Sequence, residues 1–242
     1  REPLDSVTPD NFFFTENDLA AYAVKHYNFT THEGFNAGIW KNDNATDNQA
    51  ATDYDKKWIP GQWKVPEAYD NPASNDPWYF STIREANYFL ETVVPRFEKG
   101  EIEGSETNIK HYIGEMYFLR AKNYLSKLET FGDFPIIKNT LPDESESLIQ
   151  ASKRAPRYKV AHFILEDLDQ AISLLTNIIS GGKNRITRNA ALLLKSRAAL
   201  FEASWLTYHK GTALVPGGPG WPGKAEDIAD FNIDTEIAFF LK

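Results

Sequence analysis

Cysteine is absent from the 242 residues, which removes disulfides, thiolate zinc sites, iron–sulfur clusters and a cysteine nucleophile at once. Positive charge is in the minority, with 26 Lys plus Arg against 34 Asp plus Glu and a formal net charge of −8. The basic residues are scattered among acids, so the sequence offers no phosphate-tracking face, and nucleic acid is excluded as a partner. Long apolar runs are missing too. A membrane-spanning helix needs roughly 20 predominantly apolar residues, and here Asn, Lys or Glu breaks every apolar stretch within a few positions.

Motifs of cofactor and nucleophile chemistry are also lacking. There is no GxSxG, no GxxxxGK followed by Ser or Thr, and no HExxH among the His at 26, 32, 111, 162 and 209. The Gly-rich stretch 217–223 contains Pro219 and Pro222, which remove backbone donors that a phosphate cradle needs. Asp43, Asn44, Asp47 and Asn48, with Asp53 and Asp55 nearby, form an oxygen-rich stretch that misses the EF-hand spacing, and Asx-turns explain the same residues. No metal and no cofactor are expected. With 34 acids some carboxylate pair always exists, so counting them does not identify a glycosidase. Glu115 and Asp167 stand out inside helical stripes, and the reading that fits both is an inter-helix salt bridge to an Arg. The chain is expected not to be an enzyme.

What the sequence does have is aromatic residues and helical period. Aromatics reach 14%, and four of the 6 Trp lie between positions 40 and 78. Residues 1–17 read as an extended, capped lead-in to a short helix over Asp18–Tyr27, with Leu19, Tyr22, Ala23 and His26 on one face. From 28 to 77 Asn, Asp, Gly and Pro dominate, which predicts a long irregular loop carrying Trp40, Trp58 and Trp63. Period returns after Pro77, with Trp78, Ile83, Ala86, Asn87, Leu90 and Val94 on one face and Pro95 expected to break the run. A helix over about Ile109–Thr130 follows a turn at 99–106, with Gly132 ending it and Pro135 preventing resumption.

A polar loop over 139–152 leads to Pro156, expected as the first residue of a helix running to Ile178 and closed by Gly181 and Gly182. A last long helix spans Thr187 to about Tyr208, residues 211–223 read as loop, and another helix begins near Asp234. The helices form two pairs, about 78–130 and 157–208. Arg120-Ala121 followed by Tyr124 is echoed by Arg197-Ala198 followed by Phe201, 77 residues on. The fold class expected is all-α, a tetratricopeptide-like helical-repeat scaffold with long irregular loops.

Within the Trp-rich loop, Trp58 and Trp63 flank Pro60-Gly61, with Tyr54 before them and Tyr69 and Asn71 after them. An exposed aromatic face suits the C–H face of a pyranose ring, and neighbouring amides bind hydroxyls. The same Trp can instead staple the loop to the helices, and the residues alone leave both readings open. Trp78 and Trp205 are expected in the core.

The segment Gly114-Glu115-Met116-Tyr117-Phe118-Leu119-Arg120-Ala121, then Tyr124, Leu128 and Phe131-Gly132-Asp133-Phe134-Pro135, resembles the hallmark helix and exit turn of SusD/RagB outer-membrane nutrient-binding lipoproteins. Ile83 to Leu90, Arg154-Ala155-Pro156 through Ala171, and Arg185 through Arg197 resemble further family helices in order, so the likeness covers about 78–209, and Arg1–Thr15 is similar to the segment after the family's lipidated Cys. The resemblance implies a non-catalytic cell-surface protein that binds oligosaccharide and sits on a TonB-dependent, SusC-like outer-membrane transporter. It also implies membrane attachment only through a lipid on a Cys not present here, and a chain about twice as long, so 1–242 is expected to be the N-terminal portion. The Arg1 start and the helix running into Lys242 without a stop signal fit that expectation. Ligand-stacking aromatics in the family precede the first long helix, which points to Trp58 and Trp63, with Tyr69 and Asn71 as helpers. The resemblance also implies a pairing of Glu115 with Arg120. Peptide cargo and a helical-repeat adaptor remain as alternatives.

Overall fold

The computed structural model describes residues 12–27, 29, 45–46, 49–50, 59, 76–178 and 184–242. The fold is all-α, and its elements follow from local chemistry at each end. Helix α1 spans Glu16–Lys25, two residues earlier than the apolar spacing alone indicates, because Thr15 caps it. The Thr15 hydroxyl accepts from the Asp18 amide (3.3 Å) and the Asp18 carboxylate accepts from the Thr15 amide (3.0 Å), which satisfies donors the first turn leaves open. Within the loop region two residues pair antiparallel with two others, β1 (Ala45–Thr46) with β2 (Gln49–Ala50), with Ala45 opposite Ala50.

Helix α2 spans Ser81–Glu98 and does not break at Pro95. The φ that the proline ring fixes suits a helix, and the helix continues three residues past it, with Lys99 N bonded to Pro95 O at 3.2 Å. Helix α3, Glu106–Phe131, is the central element, buried from Ile109 to Leu128 on several faces. Gly132 ends it at φ +72 with its N–H on Leu128 O (3.0 Å), a left-handed cap that a side chain disfavours.

The segment read as a polar loop contains helix α4, Ser145–Ala151, which buries no residue and so leaves no apolar period to read. Helix α5 spans Arg157–Leu174. Pro156 stands just ahead of it in extended conformation (ψ 145°), rather than as its first residue. The helix stops four residues short of Ile178 because Leu175 is extended (ψ 145°) and Thr176 turns to bond its amide to buried His111 Nδ1 (3.2 Å). Gly181 and Gly182 lie outside the described residues and do not terminate it. Helix α6, Arg188–Tyr208, is capped by Thr187, whose hydroxyl accepts from Ala190 N, and α7, Ile233–Phe240, by Asn232.

Helix α3 packs between α2 and α5, α5 on α6, α6 on α7, and α1 on α3. Neighbours in sequence are thus neighbours in space, the arrangement of stacked helical hairpins. Ala121 and Ala198 are both buried, as the echo requires, but Arg120 is buried while Arg197 is exposed. The repeat therefore preserves the small contact residue and not the charge beside it.

Glu115 and Arg120 do not pair. Both lie on α3 five positions apart, which places them on different faces. Glu115 instead takes Arg185 (Nε to Oε1 2.9 Å, Nη2 to Oε2 2.6 Å), and Arg120 takes Asp167 (Nε to Oδ2 and Nη2 to Oδ1, both 2.7 Å). Each acid thus does bind an Arg, but only Asp167–Arg120 is an inter-helix bridge, since Arg185 lies in the segment ahead of α6.

Helix α3 comes close to the end of α5 at Gly114, where an added Cβ would stand 3.0 Å from Leu175 Cγ, 3.1 Å from Leu174 Cβ and 3.3 Å from Ala171 O. Gly114→Val is expected to destabilise the fold by about 1–3 kcal/mol, because a branched side chain must force these helices apart. Urea unfolding reads this directly, and an unchanged midpoint would mean the crossing has slack.

Candidate ligand cleft

Trp58, Trp63, Tyr69 and Asn71 lie outside the described residues, as do Asp43, Asn44, Asp47, Asn48, Asp53 and Asp55. The described chain resumes at Asp76, five residues after Asn71, and there it borders a cleft of about 480 Å³. This is within the ~300–1,000 Å³ usual for small-molecule sites. Trp78, Phe80, Phe134 and Pro135 supply its aromatic and apolar surface, and Arg84 and Arg154 its positive charge.

The cleft sits where three helix ends converge: the start of α2, the exit of α3 and the approach to α5. Trp78 is half-buried rather than core, with its ring centroid 4.2 Å from Phe131 and 6.1 Å from Phe134. Phe80 stacks on Phe134 at 6.0 Å, and Phe134 meets Tyr124 edge-on at 6.3 Å. Helix α3 holds the turn leading into α2 through Lys127, whose ammonium donates to Pro77 O and to Tyr79 O (3.0 Å). Burial lowers the pKa of Lys127 from its ordinary value.

A buried polar network holds the opposite wall. Tyr124 is fully buried, and its hydroxyl donates to Ile137 O (3.2 Å) while accepting from Ile137 N (2.8 Å). Burial pushes that phenol up to about 12. Asn87 of α2 donates to Ile137 O (2.8 Å) and Asn139 O (3.3 Å), and its own carbonyl accepts from Arg120 Nη1 (2.9 Å). Arg120 also donates to Lys138 O (3.1 Å) while its other edge grips Asp167. Burial raises the Asp167 pKa, opposed by the Arg120 hydrogen bonds. Residues 137–139, which have no regular secondary structure, are thereby fixed to α2, α3 and α5 together. Further along, Thr140 N bonds to Glu91 (2.8 Å), and Phe134 and Ala155 exchange both backbone bonds at 3.1 Å.

The polar groups left for a ligand are at the rim. Asn87 is consumed by the network and the Ser152 hydroxyl by Leu148 O (2.7 Å), whereas Arg84, Asn139 and Arg154 are exposed. No carboxylate lines the cleft among the described residues. Nor, among them, does any group of three or more His, Asp or Glu stand close enough to hold a metal. The cleft can therefore stack or enclose an apolar or C–H-rich surface and meet acceptors with cations. Sequence reasoning singled out none of Phe80, Arg84 or Arg154 for binding. The available signal was the clustering of Trp78, Phe80, Phe131 and Phe134 at helix ends, with basic residues beside them.

Comparison with known proteins follows this geometry. The SusD-like family model described as starch-binding and associating with the outer membrane matches residues 3–200. The chain belongs to this SusD-like family. No curated protein sequence matches it. Among solved structures, a SusD-like protein from Bacteroides fragilis is similar at 25% identity with a TM-score of 0.61, over 85% of this chain and 38% of that one. A SusD-like carbohydrate-binding protein from Bacteroides vulgatus is similar at 18% identity and TM-score 0.49, over 81% of this chain and 44% of that one. A laminarin-binding SusD-like protein is similar at 24% identity and TM-score 0.44, over 60% of this chain and 30% of that one. The chain thus spans less than half the length of these solved relatives.

Proposed function

We propose that this protein captures oligosaccharide without catalysis at the cell-surface side of the outer membrane and passes it to a TonB-dependent, SusC-like transporter. The observation carrying this reading is the family match over residues 3–200, whose description joins starch binding to outer-membrane association. In this reading residues 1–242 form the N-terminal portion of a longer SusD-like domain, anchored by a lipid on a Cys outside them. Trp58 and Trp63 are then the side chains proposed to stack on the sugar, with Tyr69 and Asn71 as helpers. The absence of Cys nucleophiles and of catalytic motifs in the sequence is consistent with binding alone.

Calorimetric titration of the full-length protein with plant, host and microbial oligosaccharides, and with short peptides as a second set, tests the reading. Saturable heat with a sugar is expected, and a response to peptides alone overturns glycan capture. Trp58→Ala and Trp63→Ala are each expected to weaken sugar binding by about 1–3 kcal/mol with the melting temperature unchanged, the range for an aromatic platform. A lower melting temperature with affinity retained would instead make those side chains staples. Co-purification with the transporter from detergent extracts tests the partner.

A further inference from the structure

Resting on the glycan-capture reading, we propose that the Trp78 cleft takes an acidic sugar, a uronate whose carboxylate is held by Arg154 with Arg84 as the second cation. Three observations carry this. Both arginines line one cleft, both are exposed, and neither makes an ion pair with a described residue. Arg120, Arg157 and Arg185, by contrast, are each bound bidentately to a carboxylate. The described lining contains no acid to compete.

The geometry at Arg154 then sets the ligand class. Its guanidinium carbon lies 5.3 Å from the centre of the Trp78 ring, which itself rests on Phe131 at 4.2 Å. A guanidinium held over an aromatic face keeps its N–H edge for a planar two-oxygen acceptor, so the stack preorganises a carboxylate fork. Beside it Phe80, Leu141 and Leu148, backed by buried Phe134 and Pro135, offer C–H-compatible surface for a sugar ring, with Asn139 at the rim for hydroxyls. A purely apolar ligand would bring no counter-charge to two cations whose described lining holds no acid, and a neutral sugar would use them only as hydrogen-bond donors. The net charge of −8 does not repel such a ligand at the site, since at physiological salt charges beyond about 8 Å are largely screened and the two arginines dominate locally.

The test is a set of paired titrations of the full-length protein with galacturonate, glucuronate and mannuronate/guluronate oligosaccharides, each against its carboxyl-reduced counterpart, in which the acid is a primary alcohol. At least one acidic member should bind about 10-fold or more tightly than its reduced partner. Arg84→Gln with Arg154→Gln should bring the pair to within about 2-fold, and Arg154→Lys, which keeps charge but not the fork, should fall between. Both positions are exposed, so unchanged circular dichroism and melting temperature are expected and serve as the folding control. Neutral sugars binding as well as acidic ones would overturn the acidic-sugar assignment and leave glycan capture standing. An acid preference that survives the double variant would place the carboxylate elsewhere and overturn the cleft. No binding to any member would overturn the acidic-sugar assignment, and binding of acidic peptides with no sugar bound would overturn both readings.

Discussion

Arg120→Met is expected to lower the unfolding free energy by about 3–5 kcal/mol, since it leaves the Asp167 carboxylate buried without its partner. The two side chains are 6% and 4% exposed, so solvent screening does not soften the loss. Arg120→Met combined with Asp167→Leu should recover most of that stability, because the costly element in the single variant is an uncompensated charge rather than a lost attraction. Recovery should be incomplete. Arg120 also donates to Asn87 Oδ1 and Lys138 O, and those acceptors remain buried and underused in the double variant, at about 1–3 kcal/mol. Ligand affinity should not recover at all, because residues 137–139 have lost one of the three side chains that position the cleft wall. Urea denaturation and sugar titration of the two variants separate the effects, and a double variant with wild-type affinity would show that Asn87 and Tyr124 suffice to hold the wall.

The helices that bury a continuous stripe were legible, and those that do not were not. Met116, Leu119, Ala121, Tyr124 and Leu128 gave α3 its period and all are buried. Ser145–Ala151 buries nothing, so its polar sequence carried no signal distinguishing a short helix from a loop. Pro95 reads as a break in sequence, yet α2 continues through it to Glu98, because the φ it fixes is helical and the rest of the helix is anchored by its buried face. Helix α5 was drawn too long because its end depends on His111, a residue 65 positions away from Thr176.

The site divides in the same way. That Glu115 and Asp167 each need an Arg followed from charge inside an apolar stripe. Which Arg followed from topology, and the choice of Arg120 for Glu115 neglected that helix neighbours are three or four apart. The Trp78 cleft was invisible in sequence for a related reason, since its arginines come from α2 and from the approach to α5 and converge only when α3 lies between those helices. Trp78 itself reads as core by spacing, and the structure instead leaves it half-buried under Arg154. A residue at a helix start belongs to the end of a bundle, where burial is incomplete and ligands have access.

Glu202→Ala is the second large effect and discriminates fold from site. Glu202 is fully buried on α6 and holds Arg157 at the start of α5 through Nε to Oε1 at 3.0 Å and Nη2 to Oε2 at 2.8 Å. The Arg157 guanidinium is further sandwiched by Trp205, 4.1 Å from its ring centre, and crowds Gly132, where an added Cβ would lie 3.2 Å from Nη1. It has no room to reach water, so removing the carboxylate should cost about 3–5 kcal/mol, similar to the Arg120 variant. No side-chain hydrogen bond of this pair, however, touches residues 134–141. At temperatures where the variant is folded, sugar affinity should therefore match the parent protein, in contrast to Arg120→Met. Equal stability losses with opposite effects on binding would establish that the Arg120 network positions the cleft in addition to holding the helices. Equal losses of both properties in the two variants would reduce the network to general stability, and the cleft wall would then owe its shape to the packing of α3 and α5 as a whole.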